Sequence, residues 1–139
     1  MSSTDALRET VKNLTETFND PQRRETSYFD FYDESLRIYG FPPHLSDDKE
    51  GLKQFIYLLW NAFPDIKITF EDVIIEGNKV AGRYRLEGTH KGKFLDLLPT
   101  NKQFKVNGTT IFYFQDSKCI KRWNLVDMIS LIDQLRIQP

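Results

Sequence analysis

The sequence predicts a single small α+β domain, and three observations carry that expectation. Apolar residues recur every three or four positions in the first half of the chain. They alternate with polar residues from Ile66 onward. No repeat, low-complexity tract or linker interrupts the 139 residues, so residues 1–139 form one domain around one core. Helices first and an antiparallel meander afterwards place the helices on one face of a sheet.

Leu7, Val11, Leu14 and Phe18 make the first helical stripe, with Ser3, Thr4 or Asp5 to cap it and Asn19-Asp20-Pro21 to stop it. Tyr28-Phe29-Asp30-Phe31-Tyr32 is expected as a short helix, and Leu36 to Tyr39 as a short strand. Gly40-Phe41-Pro42-Pro43 closes that strand, because its prolines forbid a helix. Asp47-Asp48 suits a helix N-terminus, and Leu52, Phe55, Ile56, Leu59 and Phe63 follow at helical spacing up to Pro64. The period then changes to two. Ile66, Ile68 and Phe70 open a strand that continues through Val73 to Ile75 across a bulge. Gly77-Asn78 turns it back into Lys79 to Glu87. A loop from Lys91 to Asn101 leads to a strand from Lys102 to Phe114, then a turn and a last strand from Cys119 to Leu125. Met128, Ile129, Leu131, Ile132 and Leu135 make the closing helix.

Composition removes several functional classes. Hydrophobic residues at 40% and charged residues at 28% are ordinary for a folded protein. Nineteen basic residues against twenty acidic ones leave a net charge of -1, without the basic surplus that a nucleic-acid grip requires. A single cysteine, Cys119, excludes an internal disulfide, and with only His44 and His90 a His/Cys zinc site lacks ligands. No calcium-loop spacing appears, so no metal is expected. No apolar run approaches the roughly 18 residues of a membrane span. Met1-Ser2-Ser3-Thr4-Asp5 lacks the basic start and apolar stretch of a signal peptide, which makes the expected location cytoplasmic.

Strand parity sets the candidate site. Val80, Tyr84, Leu86 and His90 share one face, and Phe104, Val106, Thr110, Phe112 and Phe114 share one on the next strand. The same alternation puts Cys119, Trp123, Leu125 and Asp127 together, opposite Arg122 and Asn124. The predicted pocket therefore holds His90, Tyr84, Thr110, Trp123 and Asp127 among aromatics. A buried acid must be hydrogen-bonded, shifted in pKa or poised at a cavity. Spacing alone also fits a plainer reading, in which Asp127 caps the last helix.

Gly88-Thr89-His90-Lys91-Gly92-Lys93-Phe94, Pro99-Thr100, Gly108, Lys118-Cys119-Ile120, Trp123 with Asp127, and Gln134-Leu135 follow one another in order. Ala62-Phe63-Pro64-Asp65 precedes them. This succession resembles the SnoaL-like polyketide (ester) cyclases. The resemblance implies the cone-shaped nuclear-transport-factor-2-like (cystatin-like) fold, a curved antiparallel sheet wrapped around helices with an internal pocket. It further implies cofactor-independent chemistry on a hydrophobic carbonyl substrate, with Asp127 as general acid/base for an intramolecular aldol closure. His90 is the candidate second catalytic group, with either His90 or Trp123 as donor to the enolate oxygen, while Trp123, Thr110, Phe112, Tyr84 and Tyr39 are candidate substrate contacts. A homodimer paired through outer sheet faces is the family expectation. The chain departs from the family where many members carry a His, reading Ile38-Tyr39-Gly40-Phe41-Pro42, and it has Thr110 where some carry His or Asp. Asp96 and Asn101 stand at family glycine positions. These departures motivate a second reading, a noncatalytic small-molecule-binding or interaction module. A third, an epoxide hydrolase or dehydratase, lacks a complete set of activating polar residues.

Overall fold

Helix α1 spans Ser3–Phe18 in the computed structural model, which describes residues 3–136. Its first turn contains Ser3, Thr4 and Asp5, which were expected to precede it. Val11, Leu14 and Phe18 are buried, the face that the spacing predicts. A single turn, α2 (Arg24–Ser27), runs into a 3-10 turn at Tyr28–Phe31. Strand β1 begins directly afterwards and covers Tyr32–Tyr39, so it starts earlier than the apolar run Leu36 to Tyr39 suggests. Helix α3 (Lys49–Ala62) is capped by Asp48, whose carboxylate accepts the Gly51 N–H at 3.1 Å.

Strands β2 (Lys67–Glu76), β3 (Lys79–Thr89), β4 (Gln103–Gln115) and β5 (Lys118–Val126) form an antiparallel run, followed by helix α4 (Met128–Arg136). The register of β2 on β3 shifts between Phe70 and Asp72, at the expected bulge. The sheet order is β1-β5-β4-β3-β2. The expected all-antiparallel sheet is corrected at one edge, because β1 pairs parallel to β5. Helix α3 carries the chain from β1 at one edge to β2 at the other, and such a crossover permits parallel pairing. The inner sheet face packs against Leu14, Phe18, Phe55, Ile56, Leu59 and Leu131 of α1, α3 and α4.

The ordered motifs explain how the loops are fastened. Thr89 gives both its N–H and its hydroxyl to the Asp65 carboxylate, at 2.8 and 2.7 Å. Lys91 and Gly92 donate their N–H groups to Ala62 O, and Phe94 is buried against Phe63. Gln134 closes the free edge of β4 beyond Gly108, accepting from Lys105 N at 2.9 Å and donating to Lys105 O at 3.0 Å. Leu135 next to it is buried.

Candidate functional site

The last strand decides which side chains face inward. Phe114 pairs with Cys119 but Tyr113 pairs with Lys121, so Ile120 is an extra residue in β5. A bulge of one residue inverts the alternation that follows it. Arg122 and Asn124 therefore point into the fold at 5% and 4% exposure, whereas Trp123 and Leu125 lie outside at 44% and 65%. The predicted parity is overturned from Ile120 onward.

Arg122 is the centre of a buried polar network. Its Nε donates to Thr110 Oγ1 at 3.0 Å, and Thr110 donates to Trp123 O at 2.7 Å. Nη1 donates to Tyr32 Oη at 2.8 Å and to Tyr28 Oη at 3.3 Å, and those two hydroxyls bond each other at 2.7 Å. The guanidinium lies over the Phe112 ring at 4.6 Å, with Phe41 at 5.8 Å. No Asp or Glu pairs with it among the described residues. Burial opposes the charge, but its coupling to Tyr32, Tyr28, Tyr84 and Cys119 outweighs burial and holds the pKa above the usual arginine value. Burial raises the phenols of Tyr32 and Tyr84, keeping them as neutral hydrogen-bonding groups. Tyr84 donates to Asn124 Oδ1 at 2.8 Å, and its ring occupies the space that a Cβ on Gly108 would fill, 2.3 Å from Tyr84 Cζ.

Tyr28, Tyr84, Arg122 and Asn124 line an interior cavity of about 30 Å³. Its walls are apolar, including Leu14, Phe55, Leu59, Phe70 and Phe112. It adjoins a vestibule of about 650 Å³ beneath the segment Gly40 to Leu45, and both are bordered by Phe41, Phe55, Asn124, Val126 and Met128. Gly40 sits at φ +81°, where a Cβ would be 2.2 Å from Asn124 O, so this close passage over β5 requires glycine.

Of the predicted contacts, Tyr84 and Phe112 line the cavity and Thr110 orients Arg122. Trp123 and Tyr39 do not line it; they stack on each other at 4.6 Å on the outer face. His90 is buried in the loop after β3, where its Nδ1 accepts the Thr100 N–H at 3.3 Å and contacts Thr100 Oγ1 at 3.0 Å. Burial lowers its pKa, and it lines neither space. Asp127 is exposed, and its Oδ1 accepts the Ser130 N–H at 3.0 Å as the cap of α4. It shares no buried face with Trp123. The sequence pattern assigns Arg122 and Asn124 to the opposite face because hydrophobicity puts Trp and Leu inside unless a bulge is known, and it reads Tyr28 only as part of a short helix. Among the described residues no group of three or more His, Cys, Asp and Glu could hold a metal ion, and no helix is long and apolar enough to cross a membrane.

Helices packed on one face of a five-stranded mixed sheet make this an α+β fold of the nuclear-transport-factor-2-like class. The profile of the SnoaL-like polyketide cyclases matches residues 9–135, and the chain belongs to that family. No curated protein matches the sequence. Among solved structures, AclR of Streptomyces galilaeus, described as a candidate hydroxylase, aligns with TM-score 0.86 at 18% identity over 99% of this chain and 100% of its own. A candidate polyketide cyclase from Acidithiobacillus ferrooxidans aligns at 0.77 with 26% identity over 98% of both chains. IdmH, a candidate polyketide cyclase from Streptomyces antibioticus, aligns at 0.76 with 22% identity over 94% of this chain and 98% of its own.

Proposed function

We propose that this chain binds a small hydrophobic carbonyl compound across the vestibule and the interior cavity and promotes proton transfer on it in the manner of a polyketide cyclase, without metal or organic cofactor. The observation that carries the reading is the charged Arg122 at the end of an aromatic-walled cavity with no protein anion opposite it. A guanidinium in such a setting stabilises the oxygen of an enolate more than that of a ketone, which favours the transition state. Asp127 takes the general acid/base role in this reading. It lies between Val126 and Met128, which border both spaces, and its carboxylate must exchange the Ser130 N–H for the substrate. The test is turnover of a panel of polyketide esters and ketosteroids by wild type and Asp127→Asn, whose amide retains the capping oxygen. Equal turnover removes Asp127 from the mechanism.

One observation favours the second reading, noncatalytic binding. Neither a carboxylate nor an imidazole lines the interior cavity. That reading predicts unchanged ligand affinity in Asp127→Asn and altered affinity in Phe112→Leu.

We also propose a homodimer formed through the outer sheet face, in a cytoplasmic protein. Tyr39, Trp123, Ile111, Ala81 and Ile74 are register partners in one row across all five strands. Exposed large apolar side chains at Ile74, Ile111, Trp123 and Leu125 favour a covering partner. Light scattering should give twice the monomer mass, and Ile111→Lys should halve it. A monomeric wild type refutes the dimer.

A further inference from the structure

We infer that the interior cavity is an organic-anion site, and that its ligand carries a carboxylate which meets Arg122. This rests on the pocket reading above but not on its enolate assignment, because a carboxylate on Arg122 takes the place given there to the enolate oxygen. Three observations converge on it. The first is an electrostatic imbalance. A buried guanidinium is costly without a counterion, and the described residues provide none, since every neighbour within hydrogen-bond reach is a neutral hydroxyl.

The second is the direction of the free donors. Nε and Nη1 are engaged, while Nη2 donates to no protein group among the described residues, and Arg122 lines the cavity. The Tyr28–Tyr32 pair shares one hydrogen between its two oxygens and both accept from Arg122, so the pair retains one O–H to give elsewhere. Tyr28 is the member that lines the cavity. Asn124 uses its Oδ1 to accept from Tyr84, which leaves its amide hydrogens to donate. The polar end of the cavity thus offers donors from Arg122, Tyr28 and Asn124, and a ligand with acceptors alone satisfies them.

The third is size. About 30 Å³ holds roughly two waters, which matches the two oxygens of a carboxylate. The hydrophobic remainder then lies toward the vestibule of about 650 Å³ between Phe41, Phe55 and Met128. A planar fork facing two oxygens is the geometry that arginine recognises best.

The experiment titrates wild-type protein with 3-phenylpropionate, 3-phenylpropionamide and 4-phenylbutan-2-one at one ionic strength, by calorimetry. These share the phenylethyl body and differ in the polar end. The carboxylate is expected to bind about tenfold tighter than either neutral probe, as suits a charge-assisted pair. It should also shift the Arg122 Nε–H resonance of labelled protein, and Arg122→Met should abolish the preference for carboxylate over amide. Equal affinity for all three probes overturns the anion assignment and leaves the pocket reading standing. Binding of none overturns both. A carboxylate preference that persists in Arg122→Met, or that leaves the Arg122 resonance unmoved, overturns the role of Arg122. The wild-type ranking decides the question even if the variant does not fold.

Discussion

Replacing Arg122 by methionine should leave the ligand-free protein at least as stable as wild type, although it removes a residue with three buried hydrogen bonds. Each bond contributes about 1–1.5 kcal/mol net, so the loss is about 3–4.5 kcal/mol. Against it stands the desolvation of an unpaired charge, several kcal/mol even after relaxation. The partners also survive the change. Thr110 keeps Trp123 O, and Tyr28 and Tyr32 keep each other, so no donor is orphaned. The balance falls between neutrality and a gain of about 2 kcal/mol, or about 4 °C in Tm per kcal/mol for a chain of this length. Arg122→Lys supplies the contrast, because it keeps the charge and loses the fork, and it should be less stable than Arg122→Met by about 2 kcal/mol or more. The assay is urea unfolding followed by tryptophan fluorescence, with unchanged m-values required for the comparison. A methionine variant that loses more than about 3 kcal/mol, or a lysine variant more stable than it, would refute this reasoning and make Arg122 a structural strut.

Asp127→Ala should cost about 1 kcal/mol through the lost cap, while Asp127→Asn should cost a few tenths, measured as urea midpoints at pH 7. The His90 pKa is lowered by burial, so the unfolded chain takes up a proton before the native one does. Stability should be level above the unfolded value of 6.5 and decline as pH falls below it toward the native value; His90→Gln should flatten that decline. Cys119 is fully buried, and burial pushes its thiol up to about 11. It should therefore resist a thiol reagent at pH 8 in the native protein and react fully in 6 M guanidinium, as rapid native labelling would contradict.

The fold was legible because its elements obey the periodicities that burial imposes. The stripe from Leu7 to Phe18, the run from Leu52 to Phe63 and the alternation in β3 and β4 all match the buried faces. What escaped was non-local. The parallel β1–β5 edge depends on a crossover, and the early start of β1 depends on Tyr32 meeting Cys119, 87 positions later by their numbers (119 − 32). At the site, one residue made the difference. Counting by twos from Cys119 puts Trp123, Leu125 and Asp127 inside, and hydrophobicity endorses the first two. The bulge at Ile120 reverses that count, so the strand presents Arg122 and Asn124 to the cavity and leaves its tryptophan to stack on Tyr39 outside. Residue preference favours the wrong register here, and that conflict is itself informative. A sequence that buries an arginine and exposes a tryptophan gives up local consistency, and such departures concentrate where function requires them. The same inversion that hid the site from the pattern explains why the cavity ends in a charge.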